Sequence, residues 1–384
     1  MNQPTVIIVG AGIAGLCTAI GLTKQGISVK LLERSPELVG LGAGLVLGGN
    51  AWKALDRLGL AEILLPIVHP IPQMSILNHR GVMLGSTDTE RLGETLSSPS
   101  HSIHRKEMVE TLKGILPEGV LEEGVNIQGI QETEGKIIVR AEDGRDFSGD
   151  LLIGADGIHS VVRQHLFGAV SMRYGGYTCW RGVVPFPRAR LEKLGMTETW
   201  GPSKRFGIVP LSRDRVYWFA VVSGPARDPN MRDWSMDDLQ REYAEFHPDV
   251  VQVLAASKDA SLLHHDLYDF EPLSSYSKGN ILLIGDAAHA MTPNMGQGAG
   301  MSIEDAATWV SLMSEELPMS ERLRAFDHYR VKRCREIVKT SWMIGRMAHI
   351  RSVPLQSLRN VVFRLTPPQI NNRQMAKLYD VQLP

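Results

Sequence analysis

Gly10, Gly12 and Gly15 stand in G-x-G-x-x-G spacing, behind the apolar run Val6 to Val9 and ahead of a helix-like run that reaches Lys24. That spacing suits an anion. Gly10 makes a tight turn, Gly12 keeps side-chain atoms off a backbone that a pyrophosphate approaches, and Gly15 lets helix and strand pack closely. Beyond them the first helical turn, with Ala14 in it, presents N–H groups that have no intrahelical partner. Gly26 stops the helix, a second β-like run from Ile27 to Leu32 follows, and it ends on Glu33 and Arg34. A carboxylate at that point accepts the two hydroxyls of an adenosine ribose, so the stretch reads as a dinucleotide-binding βαβ unit. Residues 5–22 carry no charge, as a signal peptide or membrane span would. No basic region precedes them and glycine recurs throughout, which favours a buried nucleotide-fold element.

Two later stretches repeat the strand-to-turn-to-helix pattern with an acid in the turn. In DLLIGADGIHSVVRQHL the run Leu151 to Ile153 delivers Asp156 and Gly157 ahead of a helix carrying Arg163. Asp156 is either a ligand group or a helix cap. In the second, Ile281 to Ile284 delivers Gly285 and Asp286, and Pro293, Gly296, Gln297, Gly298 and Ala299 form a loop feeding a helix at about Gly300. Such a loop again aims backbone N–H groups at something electron-rich. Arg105 stands at the start of another helix, and Gly40, Gly42 and Gly44 form a loop that lets backbone approach a bound ring, with Asn50 as N-cap of the helix that follows.

The elements that position these residues fall into two kinds. With 384 residues, 43% hydrophobic and 22% charged, the chain is long enough for two domains and has a globular composition. Residues 120–150 read as a β-meander with turns at Glu134-Gly135 and Asp143-Gly144. From 171 to 275 the aromatic-rich alternating runs Tyr177 to Val184, Phe206 to Pro210 and Val216 to Val222 read as an antiparallel sheet, a natural cavity wall. Helices are expected from Met236 to Phe246, near Val250 and over 320–349, with a looser end; 71–99 reads as a hairpin and a polar loop. A net charge of −1 gives no basic excess for nucleic acid. Cys17, Cys179 and Cys334 are far apart and suggest neither a metal site nor a disulfide framework. No metal and a reduced, cytoplasmic setting are expected, with no membrane span, and a monomer or a dimer fits equally.

The G-x-G-x-x-G unit with Glu33, the Asp-Gly turn at Asp156 and the Gly-Asp turn at Gly285 and Asp286, in this order, resemble the single-component FAD-dependent aromatic hydroxylases. That family includes para-hydroxybenzoate and salicylate hydroxylases. The resemblance implies FAD in an extended pose, with Glu33 on the ribose, Arg105 and Asp286 on the pyrophosphate and ribityl region, and Asp156 with Arg163 serving both FAD and a visiting NAD(P)H. The loop Pro293 to Gly300 would meet the pyrimidine edge of the flavin. It implies an α/β fold: a Rossmann-like FAD-binding domain from residues 1–70, 100–170 and 276–340, holding the βαβ unit and the meander. An inserted antiparallel-sheet substrate domain from 71–99 and 171–275 and a C-terminal helical segment, 341–384, complete it. It implies NAD(P)H oxidation, a flavin C4a-hydroperoxide formed with O2, and transfer of one oxygen to an aromatic or heteroaromatic small molecule.

Substrate identity stays open at this level. Val209 precedes Pro210 where relatives tend to place His or Tyr, so no phenol-activating base is evident. Arg205 and Tyr217 resemble the pair that bacterial urate hydroxylases present to their purine; otherwise Arg205 is a surface strand arginine beside Lys204, and Tyr217 is core. The stretch GYTCWRGVV, 176–184, also resembles epoxidases of isoprenoid-type substrates. A quinolone-type substrate or a non-hydroxylating flavin oxidoreductase are the other readings, while the W-x-W-x-I motif of related halogenases is not found.

Overall fold

A computed structural model describes residues 4–37, 43–133, 135–258 and 260–384; Gly40, Gly42 and Glu134 lie outside them. The first strand, Thr5–Val9, pairs in parallel with Ser28–Leu32 on one side and Leu151–Gly154 on the other. Ile281–Leu283 and the short Leu121–Glu122 extend this to a sheet of six, with Ser277–Lys278 added antiparallel at one edge. Its inner strands are apolar on both faces because both are covered. The helix Ile13–Lys24, buried from Ile13 to Leu22, lies beside Gly298–Met313. Gly21 permits that contact, since a Cβ there would sit 2.5 Å from Val310 Cγ2.

The meander forms a three-stranded antiparallel sheet of Ile127–Thr133, Lys136–Ala141 and Asp146–Gly149, with Gly144 at φ +86° in its turn. The aromatic-rich runs form a seven-stranded sheet ordered Leu263–Phe270, Met172–Pro185, Arg215–Ser223, Lys204–Leu211, Met196–Gly201, Gln73–Asn78 and Met83–Asp88. All neighbours are antiparallel except Met196–Gly201 with Gln73–Asn78, which run parallel. Alternation along the strands sorts residues to two faces. Trp180, Phe206 and Trp218 point outward and are covered by Leu239 and Tyr243 of Met236–Glu242 and Val250 and Val253 of Pro248–Ala256. The register places Cys179, Arg181, Arg205, Val209, Tyr217 and Phe219 on the opposite face, toward the nucleotide-fold half.

Several sequence expectations are corrected. The polar loop after the hairpin contains a helix, Thr89–Leu96, capped by Asp88 Oδ1 accepting from the Arg91 amide at 2.9 Å. Asn50 is no N-cap. The helix Gly49–Arg57 is capped by Gly48, where a Cβ would meet the Tyr379 ring at 2.6 Å, and Asn50 turns its side chain inward. The loop at Pro293 is a short 3₁₀ turn, and the next helix begins at Gly298 rather than Gly300. The helix expected over 320–349 is Met319–Ala348, which runs across the 341 limit, and the expected C-terminal helical segment holds two further helices, Val353–Leu365 and Pro368–Tyr379.

Candidate active site

The first glycine turn is built as an open cradle. Gly10 holds φ +100°, and a Cβ there would lie 2.4 Å from the Ala155 carbonyl oxygen, while one at Gly15 would lie 1.9 Å from the Gly10 carbonyl oxygen. At Gly12 an added Cβ would meet nothing within 4 Å, so the concavity is free where a ligand would enter. Glu33 spans the turn from the next strand: Oε2 accepts from the Ala11 amide at 2.8 Å and Oε1 from the Ser35 amide at 2.9 Å. Lone pairs remain on both oxygens for hydroxyl donors. Arg34 beside it is exposed, and Ala14 is buried against the second cradle, 3.0 Å from where a Gly285 Cβ would stand.

Asp156 divides its carboxylate. Oδ2 accepts from the Val161 and Val162 amides at 2.7 and 3.2 Å, the first amides of the helix Val161–Phe167 that Ser160 caps, while Oδ1 is buried without a protein partner. Burial pushes its pKa up, against the hydrogen bonds from Ser160 and the helix amides. Arg163 is buried and committed to backbone: Nη1 donates to the Ala287 carbonyl at 3.0 Å and Nη2 to that of Ile158 at 2.6 Å. It stacks over Phe270 at 4.5 Å. These two bonds tie the Asp156 turn to the Asp286 turn, while its Nε is buried without a protein partner.

Gly285 holds φ +60° and donates its amide to Asp305 Oδ2 at 2.8 Å, which leaves Asp286 exposed at the start of Asp286–His289. Asp286 is among the charges acting on Arg105; burial pulls the Arg105 pKa down and Asp286 acts against that. Gln297 caps Gly298–Met313 and accepts from Asn50 Nδ2 at 2.9 Å. Gly296, at φ +63°, and Gly298 would show a Cβ to open space, and Pro293 is exposed while Ala299 is half-buried. The free amides of that first helical turn thus border a second open concavity.

Behind the second cradle lies a buried charge cluster that sequence reasoning missed. Arg330 Nε meets Asp305 Oδ1 at 2.7 Å and its Nη1 meets Glu304, while Arg333 Nε also holds Glu304 at 2.7 Å. Asn50 Nδ2 donates to Glu304 Oε1 at 2.7 Å, and His289 Nε2 meets Asp305 Oδ2 at 2.6 Å. The signal for it was the Glu304-Asp305 pair inside an otherwise apolar helix. His289, Asp305 and Cys334 lie close enough to hold a metal ion, but the Arg330 guanidinium already supplies the positive charge on Asp305.

The sheet face opposite is where the two halves meet. Gly44, in the strand Gly44–Leu47, would place a Cβ 2.5 Å from Tyr217 Cβ, so only hydrogen fits. Tyr217 is buried, and burial holds its hydroxyl well above the usual tyrosine range, with Arg181 and Arg105 pulling the other way. Arg205 is not on the surface: it is 2% exposed, its Nη1 pairs with Glu198 Oε1 at 2.9 Å and its Nη2 donates to Asn294 Oδ1. Asn294 Nδ2 donates to the Tyr177 hydroxyl at 2.8 Å, so Glu198, Arg205, Asn294 and Tyr177 form one polar end. The rest of the face is apolar: Val209, Leu211 and Ile71 are buried, and Val46, Met74, Val183, Met196, Phe219 and Leu263 are half-buried around them.

Two open glycine cradles, an unpartnered Asp156 oxygen and a helix N-terminus beside an apolar sheet face define a dinucleotide-binding flavoprotein. The family model described as an FAD binding domain matches residues 3–341, and the chain belongs to that family. It is 35% identical over 379 residues to a 2-heptyl-3-hydroxy-4(1H)-quinolone synthase of Pseudomonas aeruginosa, covering 98% of this chain and 97% of the relative. It is likewise 35% identical over 343 residues to an aurachin C monooxygenase/isomerase of Stigmatella aurantiaca, covering 89% of each. A Klebsiella pneumoniae protein solved with FAD and uric acid superposes with a TM-score of 0.89 at 26% identity, covering 98% of this chain and 96% of that one. The chain is a flavoprotein monooxygenase with FAD as its cofactor. No helix among the described residues is long and apolar enough to cross a membrane.

Proposed function

We propose that this monooxygenase consumes NADH or NADPH and O2 to place one oxygen atom on a ring carbon of a heteroaromatic substrate that bears an apolar tail, of the quinolone class. The other oxygen atom leaves as water, and the nicotinamide leaves oxidised. The observation that carries the reading is the state of Arg205. Its guanidinium is already paired with Glu198, so an anionic substrate gains little from it, while the surrounding face offers half-buried apolar side chains with Phe219 among them. Two relatives at 35% identity are named for the chemistry of a heptyl-bearing quinolone and of aurachin C, which supports the same class. Urate is the second reading, favoured by Arg205 Nε, which is buried without a partner and shares a face with Tyr217.

In this reading FAD supplies hydride acceptance and oxygen delivery when bound. The residues do the rest. Glu33 accepts the adenosine ribose hydroxyls, Gly10, Gly12 and Gly15 let the pyrophosphate reach backbone amides, and Arg105 with Asp286 flanks the far side of that pyrophosphate. The first amides of Gly298–Met313 stabilise negative charge at the pyrimidine edge. Asp156 offers its free oxygen to FAD or to the visiting nicotinamide. Val209, Tyr217 and Phe219 exclude water from the ring and orient it. No second dinucleotide fingerprint appears in the sequence, which suits a nicotinamide that visits and leaves. Three buried, unpaired thiols suit a reduced compartment such as the cytoplasm, and a monomer or dimer accommodates the site equally.

The test is NADH and NADPH oxidation by the FAD-loaded protein with 2-heptyl-4-quinolone, urate, salicylate and 3-amino-4-hydroxybenzoate, with product masses determined. Oxidation stimulated by the quinolone, with a product one oxygen atom heavier, is expected. Stimulation and product with urate alone would replace the quinolone class by the purine class.

A further inference from the structure

The helix Val353–Leu365 is amphipathic in the wrong direction for a soluble surface. Gln356 and Arg359 face the protein: Gln356 Nε2 donates to the Ile350 carbonyl at 2.8 Å, and Arg359 Nη1 donates to the Met347 and Ala348 carbonyls, both at 3.0 Å. Leu355, Leu358, Val361, Val362 and Leu365 face out, each between 51% and 75% exposed. Their spacing places them on one stripe of the helix. Met343 on the preceding helix and Ile370 on the following one are also exposed, as are Val82 and Met83 of the hairpin that packs nearby, where Met83 and Arg364 line one groove. Contiguous exposed apolar surface rimmed by polar groups marks an interaction face.

Charge indicates what covers it. Between Glu336 and Asp380 the chain has seven lysines and arginines and no acid. Arg346, Arg351, Arg364, Arg373 and Lys377 are exposed, and among the described residues none of them pairs with a carboxylate. An apolar stripe inside an acid-free basic segment is the pattern of a helix that lies in the interface of an anionic bilayer, its stripe among the acyl chains and its cations among the headgroups. A second copy of the same segment is a poor occupant, because it would set like charge against like.

We propose that the Val353–Leu365 helix seats the protein on an anionic lipid surface. The seat lies next to the site. The inner side of the helix rests on Trp200, with Phe363 edge-on at 5.2 Å and the Arg359 guanidinium over the indole at 5.0 Å. Trp200 Nε1 donates to Glu198 Oε1 at 2.8 Å, the same oxygen that pairs with Arg205. A ligand drawn from the bilayer therefore arrives one layer of side chains from the polar end of the pocket. The inference stands on the helix and its charges and does not depend on which ring the enzyme oxidises.

The experiment is co-sedimentation of the FAD-loaded full chain with vesicles of phosphatidylcholine alone or mixed with phosphatidylglycerol, at low and high salt. The variants Leu358→Glu/Leu365→Glu and Arg351→Glu/Arg364→Glu run beside it, with thermal unfolding as the folding control, since all four side chains are exposed. Binding to the anionic vesicles, weakened by salt and at least tenfold weaker in each double variant, is the expected result. Absence of binding to anionic vesicles, or binding that both variants retain, overturns the proposal. So does a wild-type dimer in sedimentation velocity that Leu358→Glu/Leu365→Glu converts to monomer, which would give the face to a second copy.

Discussion

Asp156 and Asp286 illustrate how a carboxylate can be read apart from its neighbours. One oxygen of Asp156 accepts from the first amides of Val161–Phe167 and the other has no protein partner, so those bonds leave room for the ligand role proposed above. Asp156→Asn keeps an oxygen that can accept from the Val161 and Val162 amides and leaves the Ser160 cap intact, so thermal unfolding should move by no more than about 0.5 kcal/mol. Reduction of bound FAD by NAD(P)H should slow nonetheless; an unchanged reduction rate in stopped-flow absorbance would remove the ligand role. Asp286 is exposed, and its loss should cost about as little stability as other surface changes, within roughly 0.5 kcal/mol. Purified Asp286→Ala is expected to carry much less flavin absorbance per protein while its unfolding temperature with FAD removed matches wild type. Arg205 was not decidable from sequence because its partners lie across a hairpin at Glu198 and in a distant loop at Asn294. Arg359 has the same character: it interrupts an apolar run in the sequence yet turns inward in space.

At the scale of elements, the buried cluster on Gly298–Met313 and Met319–Ala348 holds the Gly285 turn and the Gln297 loop in place. Asp305 fixes the Gly285 amide, and Glu304 fixes Asn50, which in turn holds Gln297. Burial would raise the pKa of both acids, but His289 and Arg330 on Asp305, and Arg330 and Arg333 on Glu304, win and hold them below the usual carboxylate range. Depressed carboxylates contribute stability above their unfolded values, about pH 4, and lose it as pH falls through the lower folded values. Arg330→Met leaves two buried carboxylates short of a cation and should destabilise by about 3–5 kcal/mol. Thermal unfolding followed against pH should show the variant losing stability from a higher pH than wild type on acidification. Parallel curves would mean that the guanidinium does not set those protonation states. The βαβ unit, by contrast, was legible residue by residue, because Gly15 is dictated by a contact of 1.9 Å with the Gly10 carbonyl oxygen inside the motif and Gly10 by its own positive φ. The Thr89–Leu96 helix was not, since its polar composition gives no apolar period and its start depends on one cap at Asp88.

For the whole molecule, the sequence showed two kinds of sheet and their approximate limits, because parallel strands buried on both faces read differently from alternating aromatic ones. It did not show which groups join the two halves: Gly44 against Tyr217 on one side, Asn294 against Arg205 on the other. The sheet face between them, where the substrate is proposed to sit, is apolar with one internally neutralised polar end. The measurement that tests this most directly is a titration of the FAD-loaded protein, followed by the visible flavin spectrum, with 2-heptyl-4-quinolone, 2-methyl-4-quinolone and urate. With about 0.8 kcal/mol gained per buried methylene, the heptyl compound should bind at least about 100-fold tighter than the methyl compound, and urate more weakly than either. Equal affinity for the two quinolones, or urate binding tightest, would contradict the account.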